Sequence, residues 1–168
     1  MLSVLVPTDG SPSSLCGVRQ VVREWAADSR LAVHLLNVQL PFSRYIGRFV
    51  ARSQQAEFHQ EMSVKALAQA RRILDDAGVD YSAHAEVGAK AETIVAAARR
   101  LGCGRILMGT ARKGTLLRWA LGSVTNQVIL RTSVPIELVA GDPPGAPERV
   151  GVPCVLGAGV LLLWAWVR

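Results

Sequence analysis

The chain has 168 residues, half of them hydrophobic and 19% charged, with a formal net charge of +6. This suits one domain with a sizeable core and excludes a wholly disordered polypeptide. Cys16, Cys103 and Cys154 form no CxxC pair and no metal-ligand spacing with His34, His59 or His84, which excludes a disulfide scaffold and a zinc module.

The thiols are therefore expected to be reduced, in a cytoplasmic protein. Met1 runs directly into an apolar segment with no basic leader, so no secretory signal is expected. The last 28 residues carry two charges of each sign, so the basic excess belongs to residues 1–140. Nucleotide phosphates, acidic lipid or nucleic acid would suit that charge, and so would an ordinary solvated surface.

Short apolar runs alternate with helical patterns along the chain. "LSVLVP" (2–7) predicts a buried strand. Leu15, Val18, Val22, Trp25 and Ala26 then recur at helical spacing, with Ser11, Ser13 or Ser14 available as the N-cap. A second strand is predicted at 31–38, followed by an irregular stretch over 39–52. Met62, Ala66, Leu67, Ala70, Ile73, Leu74 and Ala77 predict a long amphipathic helix stopped by Gly78. The third strand, 79–87, is less apolar and suits a sheet edge. Ala91, Ile94, Val95, Ala98 and Leu101 mark the next helix, ended by Gly102. "RILMG" (105–109) is the fourth strand. Leu121, Val124, Val128 and Ile129 mark the last helix, and "VPIELVA" (134–140) is the fifth strand.

This alternation predicts an α/β fold: a doubly wound, five-stranded parallel sheet of order 3-2-1-4-5 with helices on both faces. Strands 1 and 4 then adjoin where the winding reverses, and such sheets bind ligands there, outside the carboxyl ends of the strands. Residues 141–153, rich in Pro and Gly, read as a linker. Residues 154–168 form a hydrophobic tail. Its uncharged run, 154–167, is short for a bilayer span, which needs about 20 residues. Trp164 and Trp166 suit a membrane interface. Both a membrane contact and docking on the domain stay open for it.

Two loops share the reversal point. "VPTDGS" (6–11) follows the first strand, and "MGTARKGTLLRWALGS" (108–123) follows the fourth. The second holds Gly109, Gly114 and Gly122 with Arg112, Lys113 and Arg118. Glycines let a backbone approach a phosphate, and successive amides form an anion-binding nest. Ser123 and Thr125 add hydroxyl donors at a helix start. Asp9 is suited to a magnesium ion beside phosphates, or to an adenine amino group or ribose hydroxyl. A plain turn and a plain basic connection would use the same residue types.

Here the chain resembles a universal stress protein over residues 1–140. "VLVPTDGSPSS", "ILMGTARKG" and "LGSVTNQVILRTSVPIELV" carry the resemblance. The nucleotide-binding branch of that family has G-x2-G-x9-G-[ST] in the second loop. Gly109, Gly122 and Ser123 fit it, and Arg112 stands where the second glycine would be. The resemblance implies an ATP-binding stress-response regulator. Pro7, Thr8 and Asp9 would line the site, and Val38 would pack on adenine and ribose. Met108, Gly109 and Arg112 would follow the ligand. Gly122, Ser123, Val124 and Thr125 would hold the phosphates. The resemblance also implies a homodimer through the edge strand 134–140, and an unpaired apolar edge is an aggregation hazard that such pairing removes.

No Ser-His-Asp or Cys-His arrangement, HExxH or GxxxxGK[ST] is present, so binding with at most slow hydrolysis is expected. Nucleic acid is not an expected partner. An interaction module that has lost the nucleotide and is tethered by its tail is the alternative, with a slow ATPase as a third reading. Arg44, Arg48 and Arg52 lie at i, i+4 and i+8. If residues 42–52 were one helix, they would form a cationic stripe able to touch anionic lipid, a partner or the ligand, and a solvated surface segment, the favoured reading, would use the same residues.

Overall fold

The computed structural model describes residues 2–110 and 123–140. In chain order the elements are β1 (Ser3–Pro7), α1 (Pro12–Ala27), β2 (Ala32–Gln39), α2 (Arg44–Gly47), α3 (Arg52–Asp76), β3 (Tyr81–Val87), α4 (Lys90–Arg100), β4 (Arg105–Thr110), α5 (Ser123–Arg131) and β5 (Ile136–Ala140). The sheet order is β3-β2-β1-β4-β5 and every neighbouring pair is parallel. This is the doubly wound order expected from the alternation of patterns, with β3 at one edge and β5 at the other.

Successive side chains of a strand point to opposite faces, and the buried residues sort accordingly. Val4 and Val6 of β1, Val33 and Leu35 of β2 and Leu107 of β4 pack under α1 and α3. Leu5, Leu36, Val38, Ile106 and Met108 pack on the opposite face under α4 and α5. Ser11 caps α1, its Oγ accepting the Ser14 amide at 3.2 Å, and Pro12 begins the helix. After α3 and α4 the chain reverses at Gly78 (φ 66°) and Gly102 (φ 63°), left-handed conformations that favour glycine.

Two expectations differ from the structure. The long helix starts at Arg52, ten residues before Met62. Its first turns carry Ser53, Gln54, Gln55 and Ala56, which form helix without an apolar stripe, so periodicity had nothing to register there. Gln54 secures the start by accepting the Ala51 amide through Oε1 at 3.3 Å. Residues 39–52, expected to be irregular, hold one helical turn. α2 is a single turn ending at Gly47, and Arg52 opens α3, so Arg44, Arg48 and Arg52 do not form a continuous helical stripe. The linker and tail at 141–168 lie outside the described residues. Among the described residues no helix is long and apolar enough to cross a membrane.

Candidate functional site

All five strands run the same way, so the ends of β1, β2 and β4 and the start of α5 lie along one edge of the sheet. β1 pairs with β2 over its whole length, from Ser3↔Ala32 to Pro7↔Leu36. With β4 it pairs only at Val4↔Arg105 and Leu5↔Ile106, although β1 continues to Pro7 and β4 to Thr110. The pairing of the two central strands thus stops short of their carboxyl ends, at the reversal point where sheets of this order bind ligands.

The turn after β1 forms one wall. Thr8 is buried, and its oxygen Oγ1 lies 2.9 Å from Ser14 Oγ and accepts the Gly10 amide at 3.2 Å. Asp9 is exposed, and its Oδ1 accepts the Ser11 amide at 3.0 Å, a local turn that leads the chain into α1. Partial desolvation would raise the Asp9 pKa. Hydrogen bonds from the Ser11 side chain and amide and from Ser14, together with the Lys90 charge, outweigh it and hold the carboxyl below the ordinary aspartate value. Asp9 is thus a carboxylate at neutral pH, suited to a cation or to ligand N–H and O–H groups. Gly10 has φ 80°, and a Cβ there would stand 2.9 Å from the Ala66 carbonyl of α3. The turn needs glycine twice over, for its conformation and for this approach.

Asn37 holds the turn from beneath. It is 1% exposed, and its Nδ2 donates to the Thr8 carbonyl at 2.8 Å while its Oδ1 accepts from Gln39 Nε2 at 2.7 Å. The Thr8 amide donates to the Leu36 carbonyl at 2.8 Å. Strand pattern alone hid Asn37, because one polar residue in "LLNVQ" reads as an outward position. Lys90, half-buried at the start of α4, was missed as well. Its only sequence signal is its place just after the third strand.

The other wall comes from β4 and α5. Met108 is buried beside Val38 in one apolar cluster, and Val124 packs against that cluster. The apolar site residues are thus brought together on the α4–α5 face. Their burial is also what any such fold requires of its core. Ser123 is exposed at the first described position of α5, and Thr125 is buried two residues further on. First-turn amides of a helix lack intrahelical acceptors, and the helix dipole adds positive potential there. Arg112 and Gly122 lie outside the described residues, as do Lys113, Gly114 and Arg118.

Gly109 also carries a packing constraint. A Cβ on it would fall 1.9 Å from the Ser13 carbonyl and 3.1 Å from the Gly17 amide of α1. Gly17 is bare for the matching reason, since its Cβ would stand 3.3 Å from the Gly109 amide. The side-chain direction of Gly109 is filled by helix backbone, so its lack of a Cβ serves the contact of α1 with β4. The i, i+92 pairing of two glycines leaves no periodic trace in a sequence, which is why Gly17 escaped notice.

The universal stress protein family model matches residues 1–140, and the chain belongs to that family. It is 28% identical over 141 residues to universal stress protein MJ0531 of Methanocaldococcus jannaschii, covering 81% of this chain and 80% of that one. Among solved structures it resembles protein MJ0577, with 25% identity, a TM-score of 0.63 and coverage of 84% and 97%. An Arabidopsis thaliana family member solved with AMP bound shares the fold at 15% identity, TM-score 0.62, with coverage of 89% and 97%. The Archaeoglobus fulgidus universal stress protein, solved in complex with dAMP, does so at 18% identity, TM-score 0.61, with coverage of 83% and 98%.

Proposed function

We propose that this chain binds an adenine nucleotide in the cleft between β1 and β4 and acts as a dimeric regulator in a stress response. One observation carries the reading: an ionised, exposed Asp9 turn and the Ser123 end of α5 share the edge where the pairing of the central strands stops. Family members of the same fold have been solved with AMP and with dAMP, which supports the ligand class.

In this reading ATP is the ligand, with magnesium held by Asp9 directly or through water. Pro7 and the Thr8 backbone form the floor. The Thr8 hydroxyl is already engaged with Ser14 and Gly10, so it positions the turn. Val38 and Met108 face adenine and ribose, and Gly109 and Arg112 follow the ligand. Gly122, Ser123, Val124 and Thr125 meet the phosphates at the helix start. Residues 1–140 are the nucleotide domain, 141–153 a linker and 154–168 a tail. β5 ends the sheet with Leu138 exposed, and a twin β5 would cover it in a homodimer.

Titration calorimetry of the full chain with ATP and magnesium tests the proposal, and saturable heat is expected. Asp9→Asn keeps an oxygen for the Ser11 amide and removes the charge. It should weaken magnesium-dependent binding by about tenfold or more while the fold persists. Ser123→Ala removes a donor to a charged oxygen and should also weaken binding about tenfold. No heat from native protein would leave the interaction-module reading, which Arg112 at a family glycine position favours. Phosphate release above a protein-free control would favour the slow ATPase.

A further inference from the structure

We propose that the segment around α2 is a preformed knob that rests on an anionic lipid surface. Tyr45, Ile46 and Phe49 are 76%, 50% and 78% exposed, and Leu40 before the turn and Phe58 on α3 are exposed as well. Isolated exposed apolar side chains are ordinary, but this many in one short stretch mark a contact surface.

The knob is held in place. Gln55 of α3 donates through Nε2 to the Gly47 carbonyl at 3.0 Å and to the Val50 carbonyl at 2.8 Å, which ties the end of the turn and the connection after it to the long helix. Phe42 packs on Phe58 and His59, with ring centroids 5.2 and 5.0 Å away. Tyr45 and Phe49 stack edge to face at 5.6 Å. Ser43 caps the turn by accepting the Ile46 amide at 3.3 Å. The exposed rings are thus presented by a fixed support, so little ordering entropy is lost on contact.

Charge selects the occupant. No Asp or Glu occurs from Leu31 to Ala56, whereas Arg48 and Arg52 are exposed on either side of Phe49. The next acidic residues along the chain are Glu57 and Glu61 on α3, and Glu61 is paired with Lys65 at 2.6 Å. Aromatic rings with a polar or cationic border suit the headgroup layer, and arginines beside them favour acidic lipid. An apolar protein groove would match the rings and leave the arginines without partners. The inference is independent of the nucleotide reading, since none of these residues belongs to the cleft.

Sedimentation of the full chain with vesicles tests it. Binding is expected to vesicles of phosphatidylcholine mixed with phosphatidylserine, to fall as salt is raised, and to be absent on phosphatidylcholine alone. The double variants Tyr45→Ser/Phe49→Ser and Arg48→Glu/Arg52→Glu should each lower the partition coefficient by about tenfold or more. Their thermal midpoints should stay near the native value, because these side chains are exposed. Equal binding to neutral vesicles would overturn the proposal. So would binding that both variants retain, which would place the lipid contact in another segment such as 154–167. Failure to bind acidic vesicles, with self-association that Phe49→Ser abolishes, would assign the knob to a second copy of the chain and equally overturn it.

Discussion

Asn37 fixes the β1 turn from a position with almost no solvent contact, so its replacement isolates the cost of losing that support. Asn37→Leu leaves the Thr8 carbonyl without its side-chain donor and should destabilise the fold by about 1–3 kcal/mol in urea unfolding. Gly109→Ala is expected to be worse than Gly17→Ala. The first drives a methyl to 1.9 Å from a backbone carbonyl. The second meets a movable Leu107 methyl at 3.2 Å and a backbone amide at 3.3 Å, and it gains helix propensity. Thermal melts of the two variants check that order.

Asp9 adds a pH dependence of known sign. Its folded pKa is lowered, so its contribution is complete above the unfolded value of about 3.8 and is lost as pH falls through the folded value. The melting difference between native protein and Asp9→Asn should therefore shrink below pH of about 3.8. The types and neighbours of Asp9 and Ser123 made them candidates in the sequence. Asn37, Gly10 and Gly17 were not, because their meaning lies in a carbonyl or helix brought close by folding.

At the scale of elements, the strands and most helices could be read because their burial is periodic. The start of α3 and the single turn of α2 could not, because local hydrogen bonds from Gln54, Gln55 and Ser43 define them. Cross-strand chemistry was equally silent. His34 Nδ1 of β2 and His84 Nε2 of β3 lie 3.3 Å apart. Burial, and then the charge of His84, lowers the His34 pKa. The fold favours neutral His34, so its contribution to stability is fully present above the unfolded value of about 6.5 and falls as pH drops through it. A His34→Gln variant should show a flatter stability curve between pH of about 7 and 5 by urea unfolding.

At the opposite end of the sheet, Arg105 of β4 bonds Glu24 of α1 and Glu137 of β5, the latter at 2.6 Å. The group is partly solvated, so Arg105→Ala should cost on the order of 1 kcal/mol, mainly by leaving two carboxylates without their partner. A double-mutant cycle with Glu137→Gln would isolate the strand-edge share.

For the whole molecule, the parallel order followed from the alternation of patterns and the right-handed crossover rule. The proposed assembly rests on β5 as a terminal strand with an exposed Leu138. Leu138→Lys should shift the chain to the monomer in analytical ultracentrifugation and leave the far-ultraviolet circular dichroism unchanged.

The meeting of Gly109 with Ser13 and Gly17 also bears on how related chains are compared. Selection at that position acts on the spacing between a helix and a strand, whatever the cleft contains. A descendant could abandon its nucleotide entirely and still keep the glycine, so retention of that one motif residue is no sign that the ligand has been kept.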